Sequence, residues 1–167
     1  MRKAIAIVTG LAILALANYS IYSRERLLTE GRTVLLQLAP VDPRSLMQGD
    51  YMALRFSIAN AVFSVDDARQ GSRDGHIVVT LDADGVGTFA RFADTTPLAD
   101  NEIRMHYRVR NGQAKFATDA FFFQEGDADV YAAARYGEFR VAQDGAAILV
   151  GLRDKSVRPL GRALQEH

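Results

Sequence analysis

The longest apolar run of the chain lies at its start. After Met1-Arg2-Lys3, residues 4–22 (AIAIVTGLAILALANYSIY) carry no charged side chain. As a helix rising about 1.5 Å per residue this stretch spans about 28 Å, close to the roughly 30 Å hydrocarbon thickness of a bilayer. Tyr19 and Tyr22 stand at its far end, where amphipathic rings favour the interface. Arg2 and Lys3 precede it and Arg24 and Arg26 follow, so the charge bias is weak. The short basic tail favours a cytoplasmic N-terminus. The pattern predicts a single N-terminal transmembrane helix with the lipid bilayer around residues 4–22. Two other readings exist. Ala15-Leu16-Ala17 is an A-x-A pattern suited to signal-peptide cleavage, and a buried helix of a soluble protein has the same composition. Apolarity continues past the cleavage pattern to Tyr22, which favours an uncleaved anchor. The chain thus divides into an anchor, residues 1–23, and a second unit, residues 24–167.

Downstream the period changes. Residues 23–31 are polar with two leucines and read as a helical continuation or stalk. Residues 33–39 are rich in strand formers. A loop with two prolines follows, residues 40–49. Residues 50–58 then alternate, with Met52, Leu54, Phe56 and Ile58 on one face and Tyr51, Ala53, Arg55 and Ser57 on the other. A short helix over 57–69 competes for the end of that segment. Residues 76–81 and 86–92 flank Asp82-Ala83-Asp84-Gly85. Residues 102–110 and 113–118 flank Asn111-Gly112, and residues 138–142 and 146–152 flank Asp144-Gly145. The last two dipeptides are type I′ hairpin signals. One helix is predicted over 127–136, begun by an aspartate and stopped by Gly137. The expected fold is mainly β (α+β), an antiparallel β meander or barrel-like domain with one short helix, preceded by the anchor.

Composition removes several function classes. Lys+Arg and Asp+Glu are equal at 20 each, so nothing marks a nucleic-acid binder. There is no cysteine, which excludes disulfides, thiolate metal sites and cysteine catalysis. His76, His106 and His167 are far apart in sequence, and no metal or cofactor is expected. The Asp82–Gly85 stretch imitates part of a calcium loop without its later bidentate glutamate, and turn chemistry explains it. No phosphate-binding glycine loop is present.

Residues 41–56, VDPRSLMQGDYMALRF, carry the most specific motif. Gly49-Asp50-Tyr51, then Leu54, then an aromatic at 56, resembles the GDYXXLXY family of bacterial membrane-anchored proteins. A second block is similar as well: Phe122-Phe123-Gln124-Glu125-Gly126, Tyr131, Ala134 to Glu138, and Leu149 to Arg153. Phe56 stands where the family motif has tyrosine. The resemblance implies a membrane-tethered protein, a companion of multi-pass membrane proteins, with no established activity.

The same residues have a local reading. Asp42-Pro43 and Gly49-Asp50 bracket a tight loop feeding a strand, with Pro43 fixing φ and Asp50 able to accept backbone N–H bonds. They form either a structural corner or, with Tyr51 and Arg55, one wall of a binding surface. Glu125 lies before the expected helix, which Asp127 or Asp129 can cap. On that helix Tyr131 and Arg135 stand four residues apart and are expected to touch. Glu125, Tyr131, Arg135 and Tyr136 form either a capped surface helix or a polar patch. Gly126 and Gly137 belong to the structural part of the pattern, with Asp42, Pro43, Gly49, Leu54 and Phe56. Phe121–Phe123 read as a buried strand.

A proline-containing loop ending in Gly-Asp loosely resembles membrane-anchored signal peptidases, implying at most that β fold without its catalytic residues. Ser45 is misplaced for the nucleophile, and of Lys3, Lys115 and Lys155 none follows as a base at the right place. No catalytic set emerges. The expectation is a non-enzymatic periplasmic domain on an inner-membrane anchor, binding a partner that is itself a membrane protein. The rival is a small-ligand or hydrolytic module built on Asp50, Glu125, Arg55 and Arg135. A structural spacer is the third reading.

Overall fold

The computed structural model describes residues 2–39, 47–48, 51–62, 73–110 and 113–161. A helix, α1 (Arg2–Glu30), takes in the whole apolar run and the polar stretch after it. Gly31 ends it. Its N–H bonds the Leu27 carbonyl at 3.0 Å, and a β-carbon there would lie 2.3 Å from that oxygen and 3.0 Å from Cβ of Arg140. Only glycine permits so close an approach. Arg140 donates to the Gly31 carbonyl at 3.3 Å and to Thr33 Oγ1 at 2.8 Å, tying the helix end to the sheet. Among the described residues no helix is long and apolar enough to cross a membrane; Thr9, Asn18, Ser20 and two tyrosines dilute the run.

The rest is antiparallel β. The strands are β1 (Arg32–Gln37), β2 (Met47–Gln48), β3 (Tyr51–Ala53), β4 (Arg73–Leu81), β5 (Gly87–Phe92) and β6 (Glu102–Arg110). They continue with β7 (Gln113–Lys115), β8 (Ala120–Phe122), β9 (Tyr136–Val141), β10 (Ala147–Arg153) and β11 (Pro159–Leu160). Two short helices intervene, α2 (Ser57–Val62) and α3 (Ala128–Tyr131). The strands form three sheets, ordered β1-β9-β10-β11, β5-β4-β6-β7 and β2-β3-β8. The two larger sheets curve into a half-barrel around a shared core. They are joined at one side by Leu35 N–H to the Gly85 carbonyl (2.9 Å), and at the other by His106 N–H to the Gly145 carbonyl (2.9 Å). Val34, Leu36, Ile77, Val79, Met105 and Phe139 meet inside, each essentially buried.

The three expected hairpins appear, but the order is not a simple meander: β1 pairs with β9, a hundred residues on. The β4–β5 and β9–β10 turns use one geometry. Gly85 (φ +80) and Gly145 (φ +91) are the left-handed residues. The N–H of each bonds the carbonyl three residues back, at 3.1 and 3.0 Å. Asp144 has no positive φ, so the expected type I′ turn is a three-residue loop closed by Gly145. Asn111-Gly112 lies outside the described residues.

The alternation over 50–58 marked burial correctly and strand length wrongly. Met52, Leu54, Phe56 and Ile58 are all buried, yet β3 stops at Ala53 and α2 begins at Ser57. The expected helix over 127–136 shrinks to α3. Asp127 makes no side-chain capping bond. Arg135 is drawn instead into the sheet: its N–H donates to the Arg153 carbonyl and its carbonyl accepts from Leu38, each at 2.8 Å.

Candidate functional site

The two motif blocks meet. Strand β3 pairs with β8, with Tyr51 opposite Phe122, Met52 opposite Phe121 and Ala53 opposite Ala120. The Tyr51 and Phe122 rings lie 5.8 Å apart, with Phe122 75% exposed. Beyond β3, Leu54 N–H donates to the Asp119 carbonyl (2.8 Å) and the Arg55 carbonyl accepts from Ala39 (2.7 Å). Phe56 then turns inward. Its ring lies edge-on to Phe139 (5.3 Å) and Phe116 (6.2 Å). A β-carbon on Gly137 would stand 2.8 Å from that ring. The final aromatic of the motif is a core wedge whose seat is a glycine from the second block. In that position the missing tyrosine hydroxyl would enter apolar surroundings.

Tyr131 is buried, with its ring 5.0 Å from Phe121 and 5.2 Å from Phe123. Desolvation, and secondly the charge of Asp127, push its phenol above the ordinary tyrosine range. The expected Tyr131–Arg135 contact does not form, because α3 ends at Tyr131. Arg135 is exposed and donates to the neighbouring Ala134 carbonyl at 2.7 Å. Glu125 is exposed in a turn whose Gly126 has φ +94. Tyr136 is half-buried on β9. Among the described residues no hydrogen bond or ion pair joins Glu125 to Arg55 or Arg135. Asp42, Pro43, Gly49 and Asp50 lie outside the described residues. Phe121 and Phe123 are half-buried while Phe122 faces outward, so the triple phenylalanine is not the fully buried strand expected.

Arg55 is exposed at a cleft of about 100 Å3 between the motif segment, α2, β7 and the turn into β8. Leu54, Phe56, Ala59 and Ala114 give it apolar walls; Arg55, Asn60, Gln113, Lys115, Thr118 and Asp119 give it polar ones. Lys115 and Asp119 form an ion pair. The hydrogen bond from Lys115 holds the Asp119 carboxyl below its usual range. Between them Ala117 has φ +58, and Thr118 N–H reaches back to the Phe116 carbonyl at 2.6 Å. That is a γ-turn of the strained hand.

Three further groupings were not legible in the sequence. Arg153 makes a two-pronged bond to Glu138, Nε to Oε2 at 2.8 Å and Nη2 to Oε1 at 2.9 Å, and donates to the Val157 carbonyl at 2.8 Å. A register shift between Leu149 and Gly151 puts Gly151 opposite Glu138, so Arg153 shares that face. Without that extra residue Arg153 would point the other way. Arg91 and Glu102 pair and organise the loop between β5 and β6, where Glu102 also accepts from Ala99 N–H at 3.1 Å. His76 and His106, separate in sequence, are direct cross-strand partners with rings 5.1 Å apart. Among the described residues no group of three or more His, Cys, Asp or Glu converges as metal ligands; His167 lies outside them.

No functionally curated protein and no solved structure matches the chain. A family model described as GDYXXLXY protein matches residues 13–152, well over half of the length, and the chain therefore belongs to the GDYXXLXY family.

Proposed function

We propose that this protein is a non-enzymatic, membrane-tethered domain that presents its β half-barrel to a membrane-protein partner on the outer side of a bacterial inner membrane. The carrying observation is the environment of α1. Ile5, Val8, Leu11, Leu14, Leu16 and Ile21 are 60–68% exposed, and the apolar side chains are not confined to one face. Exposed apolar side chains on every face of a helix call for a protein core or lipid around them, and among the described residues the β domain meets only its C-terminal end. The polar residues within it are satisfied locally, with Asn18 Nδ2 donating to the Leu14 carbonyl at 2.9 Å and Ser23 Oγ to the Ser20 carbonyl at 2.9 Å. Such back-bonding lowers the cost of placing them near lipid. Gly31 and Arg140 then hold the domain within two to three turns of the interface. The ring pair Tyr51 and Phe122, with Phe122 75% exposed, offers an apolar surface to such a partner.

Two experiments test this. Alkaline carbonate washing of membranes leaves the chain in the pellet; release into the supernatant refutes the anchor. Purification in mild detergents recovers a membrane-protein companion, and Phe122→Ser reduces that recovery. A chain isolated alone in every detergent refutes the partner.

A further inference from the structure

We propose that the cleft beside the motif segment binds a small monocarboxylate, with the Arg55 guanidinium as its anchor. The inference is independent of how the chain is held at the membrane. Charge is the first reason. Among the described residues Arg55, Lys115 and Asp119 are the charged groups lining the cleft, and the Lys115–Asp119 pair is internally neutral, so one positive charge remains among them. Among the described residues nothing hydrogen-bonds or ion-pairs with Arg55. A planar guanidinium fork matches a carboxylate through two parallel bonds.

Size and lining are the second reason. The cleft encloses about 100 Å3, where a single water needs about 10–15 Å3, so a ligand of several heavy atoms fits. Asn60 and Gln113 bring amides, each able to donate and accept. A single uncompensated positive charge balances one negative charge and not two, which favours a monoanion over doubly charged phosphate.

Construction of the rim is the third. Ala117 holds φ +58, a conformation that persists only when its surroundings enforce it and that recurs at ligand clamps. Here it brings Asp119 back so that its carbonyl accepts from Leu54 N–H. Leu54 belongs to the motif that names the family, so the cleft wall and the motif are one piece of chain.

The test uses the full-length chain in detergent, titrated with N-acetylglycine while backbone amide NMR shifts of Leu54, Gln113 and Asp119 are followed. The expected result is saturable binding that weakens tenfold or more in Arg55→Ala and less in Arg55→Lys. N-acetylglycinamide, equal in size but uncharged, gives no saturation, and inorganic phosphate binds more weakly. Arg55 is exposed, so its replacement leaves the fold intact, and Lys115→Met is a second variant expected to weaken binding. An Arg55→Ala chain that titrates like the parent overturns the proposal. So does equal binding of the uncharged analogue, or phosphate binding as tight as the carboxylate.

Discussion

Replacing Arg153 with methionine tests the clip that closes the C-terminal part of the half-barrel. Methionine keeps much of the stem and removes every donor. Three bonds are lost, two to Glu138 and one to the Val157 carbonyl. The Glu138 side chain is only 13% exposed, so its carboxylate is left with little water in place of the guanidinium. Breaking one side of a poorly hydrated charge pair costs more than the pair is worth, because the survivor remains desolvated. A charge-assisted bond contributes about 1.5–3 kcal/mol and an unsatisfied buried group costs about 1–3 kcal/mol, and these overlap rather than add. The expected loss is about 2–4 kcal/mol, or roughly 6–12 °C in melting temperature for a domain of this size. Glu138→Leu in the same chain removes the stranded carboxylate, so the double variant recovers at least about 1 kcal/mol relative to Arg153→Met alone. Thermal and urea unfolding of the detergent-solubilised chain read both numbers. A single-variant loss below about 0.5 kcal/mol, or strictly additive effects, would show that Arg153 does not hold a desolvated Glu138 in place.

Phe56→Ala empties the seat between Phe116, Phe139 and Gly137 and should cost about 3–5 kcal/mol by urea unfolding; a cost under about 1 kcal/mol contradicts the wedge role. Val157 holds φ +62, costly for a β-branched residue; Val157→Asn should raise stability by about 0.5–1 kcal/mol in the same assay, and any loss counts against strain there. Glu102 has a lowered pKa, caused first by the Arg91 hydrogen bond and then by Ala99 N–H. Its contribution is therefore present above the ordinary glutamate range and fades as pH falls through the lowered folded-state value. Urea midpoints between pH 6 and 3 should fall more steeply in the parent chain than in Arg91→Ala, and parallel curves would sink the assignment.

Local features were legible and long-range ones were not. The glycines at 85 and 145 announced their hairpins because a left-handed position demands them. Period two found the buried face of residues 52–58 because it reports burial, whatever the backbone does next. It could not show that β3 would end at Ala53 and yield to α2. Nor could it place β1 against β9, since nothing local to residues 32–37 names a partner so distant. The Glu138–Arg153 pair escaped for a sharper reason: the bulge near Val150 inverts the parity on which alternation depends. The Tyr131–Arg135 expectation failed because sheet hydrogen bonds at Arg135 outweighed the helix propensity of the alanine run. Arg55 was named as a site residue from its motif, but its neighbours Lys115 and Asp119 are brought to it by folding alone.

The membrane anchor is the claim on which the proposed function stands, and the absence of cysteine makes it directly measurable. Lys3→Cys and Lys155→Cys each carry a single thiol, the first before the apolar run and the second on the exposed turn between β10 and β11. A membrane-impermeant maleimide is applied to spheroplasts before and after lysis. A β domain outside the membrane leads to labelling of Lys155→Cys in intact spheroplasts and of Lys3→Cys only after lysis. Protection of Lys155→Cys until lysis, or equal labelling of both in intact spheroplasts, would contradict it.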